Sequence, residues 1–313
     1  MKLLDRFTGS MLGMAVGDAL GMCTEFMRES DIPEFFGMTV DGYYSNPVLS
    51  YQPGEYTDDT EMAVCISESL LTCGKADLQD IAARFVEWGR SCRDIGNLTR
   101  SVLDRIRRGE DVRDAARAEW EATGKISAGN GGLMRTAPVS LFYFDDTEAM
   151  MKASRDICRI THYDPRCVLS CMAQNVLLWG LLHGNSPEEA YELMCDSLAD
   201  SFNDEEFDEA VTLGRERPVR DMTLAVPGRS GYTYLCLTVA VSALMNYEDF
   251  RTPIVEIINK GGDADTNACV AGALLGALYG EQGIPQVWLD ELSGYSYISR
   301  LGRSFYERTG EAE

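Results

Sequence analysis

The stretch NKGGDADTNACVAGALLGALYG, from Asn259 to Gly280, joins a glycine pair and two aspartates to a run of small apolar residues. Within the run, Gly272, Gly276 and Gly280 recur every four residues, a spacing that keeps them on one face of a helix. A glycine in a helix interior costs about 1 kcal/mol relative to alanine, so this face needs a compensating contact. The stretch therefore predicts a central helix that packs closely against a partner.

The N-terminal stretch GSMLGMAVGDALG, from Gly9 to Gly21, has the same property. Its glycines also recur every four residues, and a smooth glycine face lets two helix backbones approach closely. We expect these two helices to be central and tightly packed, and packing on each other is one arrangement that fits. The alternative is that one of the two segments is irregular or a loop.

Helical periodicity dominates the rest of the chain. Leu78–Cys92 is amphipathic, Val168–Gly184 is apolar almost all round, and Tyr232–Tyr247 is long enough to favour a buried helix over a strand. The segment 186–201 begins with a Ser186 N-cap at capping-box spacing from Glu189. Strand–helix alternation and linker-like tracts are absent. The sequence predicts a single compact all-α domain over residues 1–313.

Composition excludes several classes of protein. The net charge of −22 argues against binding to nucleic acid or to an anionic membrane, because phosphate groups attract basic patches. The ten cysteines form no Cys-x-x-Cys pair and only two histidines are present, which disfavours a zinc site. Reduced cysteines, the lack of a membrane-spanning run and an N-terminus unlike a signal peptide favour a cytoplasmic protein, and we expect a monomer.

Two acidic segments precede apolar helical runs. Thr57, Asp58, Asp59 and Thr60 open one run, and the aspartates near Gly262 open the other. One interpretation is helix capping, since Asp58 and Glu61 have capping-box spacing. A helix needs one cap, however, and carboxylate and hydroxyl oxygens are the ligands that Mg²⁺ and Mn²⁺ prefer. We therefore expect a metal site where the glycine-rich helices bring these acids together.

A third segment, SAGNGGLMRTAP, runs from Ser127 to Pro138 ahead of a helix-like apolar pattern. Its glycines would let backbone N–H groups approach a phosphate, especially at a helix N-terminus. The alternatives are an ordinary loop with turn residues and, for Arg135, a simple salt bridge. His162, in THYDP, could equally be a helix cap or a core histidine.

Five motifs in this order, GMAVGDALG, TDDT, GNGGLMR, THYD and GGDADTNACVAGALLGALYG, resemble the ADP-ribosylglycohydrolase family, in particular its bacterial dinitrogenase-reductase-activating members. The resemblance covers roughly residues 7 to 280. It implies an orthogonal all-α domain with a metal cleft at helix N-termini. It also implies two divalent cations, Mg²⁺ or Mn²⁺, and removal of ADP-ribose from a modified side chain.

The resemblance also assigns residues to roles. Glu25 and Asp58 are the implied proton-transferring acids, and Asp18 is expected to orient a metal ligand or to tie helices together. The implied metal ligands are Thr57, Asp58, Asp59, Asp263, Asp265 and Thr266. The implied ADP-ribose contacts are Gly129, Asn130, Gly131, His162 and Tyr232.

The expected partner is an ADP-ribosylated protein or an ADP-ribose derivative, with the N-glycosidic bond of ADP-ribosyl-arginine as the favoured substrate. Two alternatives stay open. One is hydrolysis of ADP-ribosyl-serine or a small ADP-ribose derivative. The other is a non-catalytic ADP-ribose-binding protein of the same fold.

Overall fold

The computed structural model describes residues 1–46, 49–199 and 204–310, and within them the chain forms α-helices and short 3₁₀ turns but no β-strand. The α-helices are α1 (Leu3–Gly21), α2 (Asp31–Phe36), α3 (Asp58–Cys73), α4 (Leu78–Trp88), α5 (Asn97–Arg107), α6 (Val112–Ala122), α7 (Pro138–Phe142), α8 (Thr147–Cys158), α9 (Pro165–Leu182), α10 (Pro187–Leu198), α11 (Glu205–Glu216), α12 (Thr233–Met245), α13 (Arg251–Lys260), α14 (Ala264–Tyr279), α15 (Gln286–Glu291) and α16 (Tyr295–Arg308). The all-α prediction is confirmed.

The two glycine-rich helices, α1 and α14, pack directly on each other. A Cβ atom at Gly13 would lie 2.2 Å from the carbonyl oxygen of Gly272, and one at Gly276 would lie 1.9 Å from that of Gly9. These distances are shorter than any real Cβ contact, so the backbones touch where side chains would normally separate them. The prediction of a tight central pair is confirmed, and the irregular alternative is wrong.

The direction of this packing places the acidic segments together. As residue numbers increase along α1, the residues that they contact on α14 decrease in number, from Gly9 opposite Gly276 to Gly21 beside Asp265. The helices are therefore antiparallel, and the C-terminus of α1 lies at the N-terminus of α14. A Cβ at Gly21 would lie 2.4 Å from the backbone nitrogen of Asp265, so this close contact extends up to the first turn of α14.

The other predicted helices are present, with adjusted bounds. The central helix α9 begins at Pro165, earlier than the apolar run indicated, because Asp164 caps it by accepting from the Arg166 N–H. Ser186 and Glu189 form the predicted capping box of α10, which ends at Leu198. The remainder of the predicted segment lies partly outside the described residues. The helix predicted over 232–247 is α12 and is buried along most of its length.

The segment after the glycine-rich loop differs from expectation. The prediction placed a helix-like segment directly behind Gly132, but only a three-residue 3₁₀ turn, Asn130–Gly132, forms there. The next α-helix, α7, begins at Pro138 and is five residues long. Proline favours the first position of a helix, which explains why α7 starts there.

Membrane-spanning helices are absent from the described part of the chain, since none of its helices is both long enough and apolar enough to cross a bilayer.

Candidate active site

A cavity of about 370 Å³ opens to solvent where the N-termini of α3, α5 and α14 meet the glycine-rich loop. Most of the predicted site residues line it, although they are far apart in the sequence. The predicted residues that line the cavity are Glu25, Asp58, Asp59, Gly129, Asn130, Gly131, His162, Asp263, Asp265 and Thr266.

Two predicted site residues, Thr57 and Tyr232, are not among those that line the cavity. Thr57 is fully buried as the N-cap residue of α3, immediately behind the cavity wall. The Tyr232 ring lies near the guanidinium groups of Arg166 and Arg229. Its backbone pairs with Gly129, so Tyr232 supports the glycine-rich loop from outside. A direct contact of its ring with ligand stays a prediction.

Asp18 holds the N-terminus of α3 in place from the neighbouring helix α1. Its Oδ1 accepts from the Thr57 N–H at 2.9 Å, and its Oδ2 accepts from the Thr60 N–H at 3.0 Å and the Thr60 hydroxyl at 2.6 Å. Burial raises the pKa of Asp18 to about 6. The expectation that Asp18 ties helices together agrees with these contacts.

The contacts at the start of α3 test the capping interpretation of Asp58. Asp58 is the first helical residue and not the N-cap, so it forms no capping box with Glu61. The Glu61 carboxylate instead accepts from the indole N–H of Trp88 at 2.6 Å. Since Asp18 already satisfies backbone donors of the first turn, the capping interpretation of Asp58 is wrong, and both Asp58 and Asp59 face the cavity.

Glu25, Asp263 and Asp265 form a carboxylate cluster whose nearest oxygens all lie within 4.8 Å of one another. Glu25 Oε2 and Asp59 Oδ2 are buried and have no hydrogen-bond donor among the described residues. A buried carboxylate oxygen without a donor is costly in a protein interior. These oxygens fit a divalent cation, which would provide the missing positive charge.

The acids strongly favour protonation without such a cation. Burial, followed by the charges of Asp263 and Asp94, raises the pKa of Glu25 to about 9. Burial and neighbouring carboxylates also raise the pKa values of Asp58, Asp59 and Asp265 well above their usual range. None of the described residues that line the cavity is lysine or arginine, so the protein itself does not neutralise the cluster.

The glycine-rich loop is fixed on two sides. The Asn130 N–H donates to the Gly231 carbonyl at 3.0 Å, and the Asn130 side-chain amide donates to Asp263 Oδ2 at 2.7 Å. The loop is thereby connected to the carboxylate cluster. Because no α-helix directly follows the loop, the loop itself offers a phosphate backbone N–H groups and no helix dipole of its own.

His162 faces this loop and is buried and neutral. A Cβ at Gly131 would lie 2.8 Å from the His162 Cε1 atom, so only glycine leaves room for the ring. Burial and the charge of Arg135 lower the pKa of His162 to about 3. The helix-cap interpretation of His162 is wrong, because Asp164 caps α9.

A buried chain of hydrogen bonds reaches the Nδ1 atom of His162. Arg135 donates to the Thr161 hydroxyl at 2.5 Å, and that hydroxyl lies 2.8 Å from His162 Nδ1. In the tautomer in which the Thr161 hydroxyl donates to Nδ1, Nε2 carries the N–H. Arg135 is fully buried, packs over Phe85 and forms no salt bridge among the described residues, so the salt-bridge interpretation is wrong.

Sequence reasoning missed one wall of the cavity, which the start of α5 and the residues before it form. Asp94 and Thr99 line the cavity there, and Phe26 lines it beside Glu25. Burial raises the pKa of Asp94. The signal in the sequence was an acid two residues before Gly96 and Asn97, which open an amphipathic helix, but a single acid and a glycine are common at helix starts.

Comparison with known proteins identifies the family. The sequence pattern of the ADP-ribosylglycohydrolase family matches residues 1–313. "ADP-ribosylarginine hydrolase Tri1" of Serratia proteamaculans (strain 568) is 30% identical, over 99% of this chain and 81% of its own length. "ADP-ribosyl-[dinitrogen reductase] glycohydrolase" of Rhodospirillum rubrum is 31% identical, over 92% and 90%. A solved structure, "ADP-ribosylglycohydrolase-related protein complex", superposes with a TM-score of 0.80 at 29% identity, covering 98% of each chain. The chain belongs to the ADP-ribosylglycohydrolase family.

Proposed function

We propose that the protein is a divalent-metal-dependent hydrolase that removes ADP-ribose from a modified protein side chain, with ADP-ribosyl-arginine as its substrate. The observation that carries this proposal is the carboxylate cluster with unpartnered oxygens, which shares one cavity with a glycine-rich loop. The relative from Serratia proteamaculans is named an ADP-ribosylarginine hydrolase, which supports the arginine acceptor.

The metal centre would use oxygen atoms from the starts of two helices, α3 and α14. We assign two cations, Mg²⁺ or Mn²⁺, to a ligand set of Thr57, Asp58, Asp59, Asp263, Asp265 and Thr266. When bound, such cations polarise ligand oxygens and lower the pKa of water. Asp18 fixes the first turn of α3, and Asn130 orients Asp263 through its side-chain amide. Both contacts hold ligand carboxylates in place before metal binds.

Glu25 is the residue that we assign to proton transfer. Its Oε2 has no hydrogen-bond donor in the part of the chain that the structure describes, and the carboxyl group lies beside Asp263 and Asp265. In its ionised form, Glu25 takes a proton from the attacking water and delivers it to the departing guanidine nitrogen, while the water oxygen bonds to the ribose carbon and the bond between that carbon and the guanidine nitrogen breaks. Asp58 lines the same cavity and is the second candidate for this transfer.

The opposite side of the cavity would bind the diphosphate. Gly131 leaves room for the His162 ring to pack against the loop, and His162 would offer its Nε2–H to the ligand beside the backbone N–H groups of the loop. A neutral histidine donor and backbone N–H groups bind phosphate by hydrogen bonding, so the site needs no lysine or arginine in contact with the diphosphate.

The test is release of free ADP-ribose from matched peptides that carry ADP-ribosyl-arginine or ADP-ribosyl-serine, in Mn²⁺ or Mg²⁺ and in EDTA. We expect metal-dependent release from the arginine peptide, lost in Asp263→Asn and kept in Asp196→Asn, which changes an exposed acid on α10. Release from the serine peptide alone would overturn the arginine assignment. No release from either peptide, with ADP-ribose still binding, would favour a non-catalytic role.

A further inference from the structure

Phe26 is an exposed aromatic residue at the edge of the active-site cavity. Its side chain is 75% exposed although it lines the cavity next to Glu25. We propose that the Phe26 ring recognises the acceptor side of the substrate by stacking on the guanidinium group of ADP-ribosyl-arginine. This inference rests on the proposed function and adds a residue that selects the acceptor.

The backbone holds Phe26 in a conformation that large side chains avoid. Its φ of 60° lies in the left-handed region, where a bulky residue is a genuine outlier. Two other non-glycine residues of the described chain, Ser50 and Lys125, have a positive φ, and neither lines the cavity. Strained conformations of this kind concentrate at functional sites, because the surrounding structure must enforce them.

Backbone hydrogen bonds enforce this conformation. The Phe26 N–H donates to the Gly262 carbonyl at 2.6 Å, and the Gly262 N–H donates to the Met27 carbonyl at 2.9 Å. Gly261 completes the contact, since a Cβ there would lie 2.1 Å from the Met27 carbonyl oxygen. The backbone that carries Phe26 is thus bound to the turn directly before Asp263, which keeps the residue at the edge of the cavity.

Packing does not explain the ring. Phe26 is absent from the hydrophobic core, whereas its neighbour Met27 packs against that core. At this strained turn the Met27 side chain therefore packs against the core, and the Phe26 side chain is exposed to solvent. The ring therefore buries little surface in the fold and is accessible to a ligand at the edge of the cavity.

The chemistry of the cavity favours a planar cation as the partner of this ring. The described lining contains no lysine or arginine and six acids, which are Glu25, Asp58, Asp59, Asp94, Asp263 and Asp265. A guanidinium group is planar and cationic, and it stacks well on aromatic faces. The acceptor must also arrive as part of another protein's surface, which an exposed ring at the cavity mouth can meet. A serine acceptor offers neither a cation nor a flat face.

The experiment compares Phe26→Leu, which keeps apolar bulk but removes the aromatic face, with Phe26→Trp, which restores one. Phe35→Ala is the matched control, because Phe35 is also exposed, at 68%, and does not line the cavity. The readouts are kcat/KM for an ADP-ribosyl-arginine peptide, calorimetric affinity for free ADP-ribose in Mn²⁺, and the melting temperature.

We expect Phe26→Leu to lower kcat/KM about 5- to 30-fold, the range that corresponds to a cation–π contact of about 1–2 kcal/mol. Phe26→Trp and Phe35→Ala should stay near the wild type, and ADP-ribose affinity and melting temperature should not fall in any variant. An unchanged kcat/KM in Phe26→Leu would overturn the inference and leave the proposed function intact.

Two further outcomes would also overturn it. If Phe26→Leu weakens binding of free ADP-ribose by the same factor as it lowers kcat/KM, the ring contacts ADP-ribose itself, for example its adenine, and not the acceptor. If the wild type does not act on the arginine peptide, the proposed acceptor fails, and the stacking assignment fails with it. The wild-type measurement thus separates failure of the function from failure of the residue assignment.

Discussion

Replacing Glu25 with glutamine should change how the stability of the metal-free protein depends on pH. Burial and the neighbouring carboxylates raise the pKa of Glu25 from 4.5 to about 9. The folded state therefore binds this proton more tightly than the unfolded state does. The stabilisation is complete below the unfolded pKa and is lost as the pH rises through the folded pKa.

The size of the effect follows from these two pKa values. Between pH 7 and pH 9 the unfolded carboxyl is ionised throughout, whereas the folded one goes from almost fully protonated to half protonated. Linkage then predicts that the free energy of unfolding falls by about 2 kcal/mol across this interval because of Glu25 alone. Glutamine does not titrate, so Glu25→Gln should lack this part of the decline.

The assay is urea unfolding in EDTA at pH 7, 8 and 9. Glu192→Gln, on the exposed side of α10, is the control for removing one negative charge. We expect the wild type and the control to lose stability over this range and Glu25→Gln to lose about 2 kcal/mol less. Excess Mn²⁺ should flatten the wild-type profile, because a bound cation favours the ionised carboxylate. Equal slopes for wild type and Glu25→Gln in EDTA would refute the account of a buried, uncompensated cluster.

Three further predictions follow from the packing and the site. Gly276→Ala should destabilise the protein by several kcal/mol in urea unfolding, since its Cβ would meet backbone at 1.9 Å, whereas Gly42→Ala, with nothing within 4 Å, should be close to neutral. Gly131→Val should weaken ADP-ribose binding in calorimetry, because the added side chain displaces His162; unchanged affinity in a folded variant would remove the loop from the site. Asp263→Asn should have an equal or higher melting temperature than the wild type in EDTA, but it should lose the stabilisation that added metal gives the wild type. Linkage predicts a stabilisation of about 2.7 kcal/mol at a metal concentration of 100 times the dissociation constant. A wild-type melting temperature that does not change with added metal would contradict the metal site.

The central helix pair could be predicted from the sequence because the glycine repeat is a local pattern and because glycines inside a helix lower its stability. Glycine repeats inside an apolar helix are destabilising unless a backbone packs against them, so their spacing carries information about a partner. The acids at the start of α3 and α14 were predictable for a related reason, since a helix start needs only one cap. Repeated acids at two such starts required another explanation.

The cavity residues that sequence analysis missed stand in less distinctive sequence patterns. Asp94 precedes α5 as a single acid, and acids before helices are common. Phe26 is an apolar residue in a polar stretch, and its exposure depends on a backbone conformation that hydrogen bonds to Gly262 enforce across the fold. The helix predicted after Gly132 did not form, since the loop is held instead by the backbone of Gly231 and by Asp263.

The close contact between α1 and α14 also explains how a cluster of mutually repelling acids can exist before metal binds. The contact runs from the Gly9–Gly276 end to Gly21, which touches the backbone of Asp265 without an intervening side chain. The separation of the acids is thus determined by backbone packing along the whole helix pair and not by the acids themselves. Because the pair is buried and apolar away from the cavity, its packing opposes the repulsion, and protonation of the acids relieves the remainder. In the proposed metal site, binding of a cation would therefore replace protons in a site that is already assembled, and it would not be needed to fold the protein.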